Sequence, residues 1–295
     1  MRAAAILGPG SLSKYVEKFR RVGNAEWTSG PPASSKEADA VVIFGGDGTI
    51  HRHLPQLVAL GLPVLVVPCG SGNDFARALK LRSVRDSLAA WRAFVSGAKN
   101  VRAVDLGIIR VLREEESKAG GAPAPHEPDQ HYFCSVAGAG IDTEIARRCN
   151  ALPKWFRAHG GYALCAPGEF LRFAPPLMKV SLEPEAAVKP TILAAFANAS
   201  AYGGGMKIAP QAQIDDGKLD VCIVRAMGRL KLFCLFPTVY FGGHLGFREV
   251  EYAQAQTARL ETEPPIDVYA DGEYVCRTPV EVSVARNALK VIVPA

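Results

Sequence analysis

Val41-Val42-Ile43-Phe44-Gly45-Gly46-Asp47-Gly48-Thr49 is an apolar, β-branched run that ends in a glycine turn, and Val64-Leu65-Val66-Val67-Pro68-Cys69-Gly70-Ser71-Gly72-Asn73-Asp74-Phe75-Ala76 repeats the plan. A continuous run of this kind fits a strand buried on both faces, as in a parallel sheet. The glycines let backbone N–H groups approach an anion, and a helix starting at each turn adds the positive end of its dipole. Neither stretch is a Walker A sequence or a G-x-G-x-x-G fingerprint, and either alone would pass for a plain turn. Together they describe two facing walls that suit the phosphates of a nucleotide.

The pattern extends outward. Apolar runs at 3–7, 40–44, 63–67 and 101–105 alternate with helical periodicity at 12–22, 50–60, 74–80 and 84–96. This predicts a doubly wound α/β nucleotide-binding domain over residues 1–105, with ligands at the carboxyl ends of the strands. Beyond Asp105 the texture changes to short runs at 106–112, 131–136, 179–182, 191–197, 219–224, 266–269, 280–284 and 289–293. These predict an antiparallel β-sandwich-like domain over residues 106–295, and an active site in the cleft between the two. Residues 113–130, rich in Glu, Gly and Pro, read as a solvated hairpin loop.

Of the 295 residues 48% are hydrophobic and 21% charged, enough for a sizeable core. The formal net charge of +5 suits anionic partners and an ordinary globular surface alike. The basic residues are dispersed rather than striped, which argues against nucleic acid. Seven cysteines without a C-x-x-C pair argue against a disulfide framework or a zinc site and fit the cytoplasm. Residues 1–10 read as a first strand, not as a signal h-region. No apolar run reaches the roughly 18–20 residues that a spanning helix needs, so any membrane contact would be peripheral.

Gly45-Gly46-Asp47-Gly48-Thr49 with Gly70-Ser71-Gly72-Asn73-Asp74-Phe75-Ala76 resembles the catalytic domain of the diacylglycerol kinase and sphingosine kinase family of lipid kinases, including its soluble bacterial members. The likeness continues through Ser135-Val136-Ala137-Gly138-Ala139-Gly140-Ile141-Asp142, Tyr202-Gly203-Gly204-Gly205 with Pro210, Asp215-Asp216-Gly217-Lys218-Leu219-Asp220-Val221 and Ala270-Asp271-Gly272-Glu273. It implies an ATP- and Mg²⁺-dependent kinase acting on a lipid hydroxyl at the membrane surface, most simply diacylglycerol, with a homodimer as the expected assembly.

Phosphoryl transfer needs a cradle for the triphosphate, a cation to spread charge and a group to position or deprotonate the acceptor. Gly45, Gly46, Gly48 and Thr49 offer donors on one wall, Gly70, Ser71, Gly72 and Asn73 on the other, with Gly8 and Ser11 of the first turn beside them. A carboxylate next to a triphosphate is repelled unless a cation intervenes, which assigns Asp47 to Mg²⁺; capping of the following helix is its alternative role. Asp271 and Gly272 also fit an ordinary hairpin turn. By resemblance the DGE acid accepts the hydroxyl proton, with Glu273 as base and Asp271 as metal or hydroxyl contact, the two roles being exchangeable. The resemblance further implies a structural Mg²⁺ held by the Asp216 carboxylate and the carbonyls of Gln213 and Lys218. Asp215, Asp216 and Asp220 equally fit a turn of solvated carboxylates.

Two departures stand out. His51 and Arg52 follow the GGDGT turn where the family carries an Asn-Glu pair, and they could approach phosphate. The first turn, Leu7-Gly8-Pro9-Gly10-Ser11, keeps the family's proline but not its asparagine, and the short connection after it leaves Trp27 and Thr28 as candidate nucleoside contacts. Residues 152–178 and 225–247, each mixing aromatic and basic side chains, resemble segments near the lipid entrance; packing against the sandwich with solvated basic ends explains them equally. A sphingoid base, phosphatidylglycerol or a soluble polyol are alternative acceptors, and a non-catalytic nucleotide or lipid sensor would carry the same turns.

Overall fold

The computed structural model describes residues 1–9, 11, 13–112, 130–150, 161–182 and 187–295. Strand β1 (Arg2–Leu7) leads through α1 (Ser13–Arg20) to the short edge strand β2 (Glu26–Ser29). Then follow β3 (Ala40–Gly45), α2 (Asp47–Leu60), β4 (Val64–Pro68), α3 (Asp74–Ala78) and α4 (Val84–Val95). The four strands pair in parallel in the order β2-β1-β3-β4. Every residue of β3 from Ala40 to Phe44 is fully buried, as a strand covered by helices on both faces requires.

The remaining strands are β5 (Val101–Val111), β6 (Gln130–Phe133), β7 (Val136–Gly140), β8 (Leu177–Ser181), β9 (Val188–Ala197), β10 (Leu219–Arg225), β11 (Val250–Ala255), β12 (Thr257–Thr262), β13 (Asp267–Ala270), β14 (Glu273–Arg277) and β15 (Val280–Ile292). Three helices accompany them: α5 (Ile141–Asn150), α6 (Gly161–Arg172) and α7 (Arg229–Val239). One antiparallel layer holds β7, β9, β10, β11, β13 and β14, and the facing layer is built around β5, β12 and β15. Their inner faces meet in a core around Phe133, Phe196, Leu219 and Leu260, while α5, α6 and α7 cover the outer face of the first layer.

β15 joins the two halves. Its first part pairs with β12 and β5, and Val291 then pairs in parallel with Val64 of β4. Leu289, Val291 and Ile292 are thereby buried in the core of the N-terminal half.

Several sequence-based elements merge or divide in the structure. Runs 101–105 and 106–112 form the single strand β5, and runs 280–284 and 289–293 form β15, because one bulged antiparallel pairing carries both through. β2, β11, β12 and β14 escape the sequence reading because their solvated residues weaken any apolar run. Segment 225–247 resolves into α7 and a short 3-10 turn. Of the expected loop at 113–130, Gln130 instead opens β6 and the rest, like the aromatic residues Trp155 and Phe156, lies outside the described residues.

Candidate active site

The two glycine turns meet back to back at the carboxyl ends of β3 and β4. A Cβ placed on Gly70 would stand 2.5 Å from the Gly46 Cα, and one on Gly46 would stand 2.8 Å from the Gly70 Cα. Any side chain here would drive the turns apart, which explains both glycines sterically. Gly46 is the N-cap of α2 and supplies no side-chain acceptor, so the helix start keeps donors for an external anion. The facing turn is closed by Asn73, whose side chain accepts from Gly70 N at 2.9 Å and donates to Gly70 O at 2.6 Å. Asn73 holds φ at 57°, the left-handed geometry that asparagine tolerates. Gly70 and Ser71 are left exposed on that wall, with Gly72 beside Asp47.

Asp47 opens α2 but caps the other helix. Its two oxygens accept from Asp74 N at 3.0 Å and Phe75 N at 3.1 Å, closing the start of α3 and tying the turns together. Burial, and then the neighbouring Asp74 carboxylate, raise its pKa from 3.8 to about 6, with Asp271 adding to the rise and the two backbone bonds opposing it. Asp74 is itself buried; one oxygen meets Arg77 and the other accepts from Gly204 N at 2.9 Å. The second glycine turn is therefore bolted to the GGG segment of the opposite half.

The DGE hairpin closes the site from the sandwich side. Asp271 (φ 52°) and Gly272 (φ 86°) turn between β13 and β14, as a two-residue hairpin requires. The Asp271 side chain is wholly buried and accepts from Cys134 N at 2.9 Å and Ser135 N at 2.8 Å. His51 Nδ1 lies 3.1 Å from the same carboxylate. Burial works to lower the His51 pKa, but the Asp271 bond and charge outweigh it and leave the imidazole above its usual 6.5. Glu273 is exposed, and its carboxylate reaches over α2: a Cβ on Gly48 would stand 2.5 Å from Glu273 Oε1. Of the DGE pair, then, Asp271 is a buried, fully bonded anchor and Glu273 the carboxylate presented to the cleft.

Other candidates turn elsewhere. Thr49 is 7% exposed and its hydroxyl packs against Gly8 and Gly45, locking α2 to the first turn. The Ser11 hydroxyl is directed at the carbonyls of Gly8 and Phe44. His51 faces Asp271 rather than open phosphate space. Trp27 packs on Trp91 with ring centroids 5.4 Å apart. Burial pushes the Cys69 thiol up, so its place in the turn does not make it a nucleophile.

Within the DDG loop, Asp215 pairs with Arg102, and buried Asp220 accepts from Tyr252 at 2.6 Å and from Gln254. Asp216 accepts from Lys218 N at 3.0 Å and Gln213 is exposed. The loop is organised by Asp105, which the sequence reading treated only as a boundary. Its carboxylate accepts from Gly217 N and Asn287 N, both at 2.7 Å, and its own N–H donates to Ile214 O. Buried Asn198 in turn links Asp105 O to Cys134 O. An isolated polar residue ending the apolar run of β9 was the available signal for Asn198. Among the described residues no group of three or more His, Cys, Asp or Glu side chains is placed to hold a metal. Kinase Mg²⁺ commonly takes one or two carboxylates and completes its shell with phosphates and water. The crowded, hard oxygen donors of Asp47 and its neighbours, with the Asp47 carboxylate unsettled first by burial and then by the Asp74 charge, fit that demand.

Comparison with known proteins agrees with this fold. Residues 29–109 match the diacylglycerol kinase catalytic domain, and residues 135–293 match the YegS C-terminal NAD kinase beta sandwich-like domain. A diacylglycerol kinase of Mycobacterium tuberculosis (strain ATCC 25618 / H37Rv) is 34% identical over 263 residues, 89% of this chain and 79% of that protein. A crystal structure of a diacylglycerol kinase from Bacillus anthracis str. Sterne superposes with TM-score 0.66 at 16% identity, covering 99% of this chain and 96% of that one. An NAD kinase from Archaeoglobus fulgidus in complex with ATP shares the fold at TM-score 0.52 and 13% identity, covering 100% and 94%. The catalytic-domain match and the 34% identical relative show a kinase with an alcohol group as acceptor. The chain belongs to the diacylglycerol kinase and YegS-like family of lipid kinases.

Proposed function

We propose that this lipid kinase transfers the γ-phosphate of ATP to the hydroxyl of diacylglycerol at a membrane surface, with Mg²⁺ bound beside Asp47. The observation that carries the reading is the convergence of two glycine turns in backbone contact with Asp47 from one half and Glu273 from the other. The triphosphate would lie along the two turns, with the N–H groups of Gly46, Gly48 and Ser71 as donors and Asn73 holding the Gly70 turn open to it. The Asp47 carboxylate, with Asp271 as its charged neighbour, would hold Mg²⁺, which when bound spreads the negative charge developing on the phosphates. Glu273, exposed at the mouth of the cleft, takes the proton of the acceptor hydroxyl as its oxygen attacks the γ-phosphorus and the bond to the bridging oxygen breaks, releasing ADP. Asp271 does not touch the acceptor; it fixes the hairpin so that Glu273 overhangs Gly48. The Asp216 carboxylate with the carbonyls of Gln213 and Lys218 would hold a second, structural Mg²⁺, in a loop that Asp105 orders from behind.

The test is transfer of labelled phosphate from ATP with Mg²⁺ to diacylglycerol, monoacylglycerol, ceramide, sphingosine and phosphatidylglycerol in mixed micelles. Labelled phosphatidic acid that disappears in Glu273→Gln is the expected result. Product on another lipid alone overturns the choice of acceptor, and undiminished activity in Glu273→Gln removes Glu273 as the base.

A further inference from the structure

Helix α7 breaks the rule for surface helices. Between Arg229 and Val239 its only other polar side chains are Lys231 and Thr238, so it has no polar face, yet it lies on the outside of the sandwich. Leu232, Leu235 and Val239 point inward, and Phe233 and Phe236 pack edge-on against Phe170 of α6 at 5.3 and 5.1 Å. That leaves Leu230, Cys234, Pro237 and, on the turn that continues the helix, Phe241. At 3.6 residues per turn these four fall within an arc of about 60°. All four are exposed, and Leu230 (80%) and Phe241 (84%) are the two most exposed large apolar side chains among the described residues.

Cations surround this stripe. Arg229 and Lys231 stand at its start, and Arg248 (88% exposed) joins Lys231 around Glu249. At the far end the backbone N–H of exposed Lys207 bonds Val239 O. Arg229, Lys231, Arg248 and Lys207, two of them paired to the Glu249 carboxylate, complement an anionic surface. An apolar ridge set among cations is the chemistry of a helix that beds into the headgroup layer of a bilayer. The placement also suits the reaction. The far end of α7 is bonded to the segment that carries Gly204, which is bonded to Asp74 beside Asp47. Beneath the stripe, the inner side chains of α7 roof a narrow apolar cavity of about 40 Å³ whose wall includes Asp142 and Tyr202.

We infer that the outward stripe Leu230-Cys234-Pro237-Phe241 is the membrane-docking surface of this protein, inserting into a bilayer that contains anionic lipids. It deepens the lipid-kinase reading by naming the face that meets the lipid phase, and its test does not depend on turnover. Full-length protein is sedimented with vesicles of phosphatidylcholine plus phosphatidylglycerol and with phosphatidylcholine alone. The wild type should pellet with the anionic vesicles, less so as salt rises. Leu230→Glu/Phe241→Glu should bind at least about tenfold more weakly, since burying each of two large apolar side chains is worth about that factor or more. Phosphorylation of a water-soluble short-chain diacylglycerol should be unchanged in the double variant, which also shows that it is folded. In the wild type, anionic vesicles should slow maleimide labelling of exposed Cys234.

Equal vesicle binding by the double variant, or undiminished labelling of Cys234 in vesicle-bound protein, overturns the inference. So does a vesicle-free dimer that the double variant dissolves, which would make the stripe an interface between two copies. If neither protein phosphorylates any diacylglycerol while the sedimentation difference persists, the choice of substrate fails and the docking surface stands.

Discussion

Gly70→Ala puts the back-to-back arrangement of the two glycine turns to a direct test. The added Cβ would stand 2.5 Å from the Gly46 Cα, where ordinary van der Waals contact begins at 3.4 Å, so the turns must part by about 1 Å. The obstacle is backbone, not the end of a flexible side chain, and overpacking of this kind costs about 1–3 kcal/mol. The same movement stretches the bonds from Asp74 N and Phe75 N to Asp47, which cross the gap. It also displaces the wall proposed to bind phosphate, and losing one charge-assisted hydrogen bond at about 1.5–3 kcal/mol should weaken ATP binding roughly 10- to 100-fold. Gly46→Ala, with its Cβ 2.8 Å from Gly70, should behave likewise but more mildly, and the double variant should cost less than the sum because both open one gap. Gly246→Ala, where a Cβ meets nothing within 4 Å, is the control. Calorimetric titration with ATP and thermal melting read the two effects. A Gly70→Ala protein that melts like the control and binds ATP like the wild type would refute the argument.

Four further outcomes follow from the site. Asp271→Asn turns an amide N–H toward the backbone donors of Cys134 and Ser135, so it should lower stability by about 1–3 kcal/mol in urea unfolding, whereas exposed Glu273→Gln should shift it by less than about 0.5 kcal/mol and abolish transfer. Because the folded pKa of Asp47 is raised from 3.8 to about 6, its contribution is fully present below pH 3.8 and lost as pH rises through about 6, a change of about 3 kcal/mol that Asp47→Asn should remove from the Mg²⁺-free protein. His51 is likewise raised, so its contribution is complete below pH 6.5 and lost as pH climbs through its higher folded value, and unfolding of His51→Gln should lack that slope. Asp74→Ala removes the tie to Gly204 and the pair with Arg77, and should raise KM for ATP while lowering the melting temperature by several degrees.

The strands β3 and β4, the glycine turns after them and the DGE hairpin were legible in the sequence because each is local. An apolar run, a glycine pair and an Asp-Gly turn carry their geometry within a few residues. The tertiary structure decided how they are used. Asp47 caps a helix that begins 27 residues later, Asp271 is buried against backbone donors 136 and 137 residues away, and Asp74 reaches Gly204 across 130 residues. No local pattern encodes such bonds, since they exist only once the two halves dock. Asp105 illustrates the same limit: in sequence it ends an apolar run, and in space it holds loops 112 and 182 residues away. The stripe on α7 was hidden for a related reason. A helix apolar on every side reads as buried, and only the packing of the sandwich decides which of those sides the solvent sees.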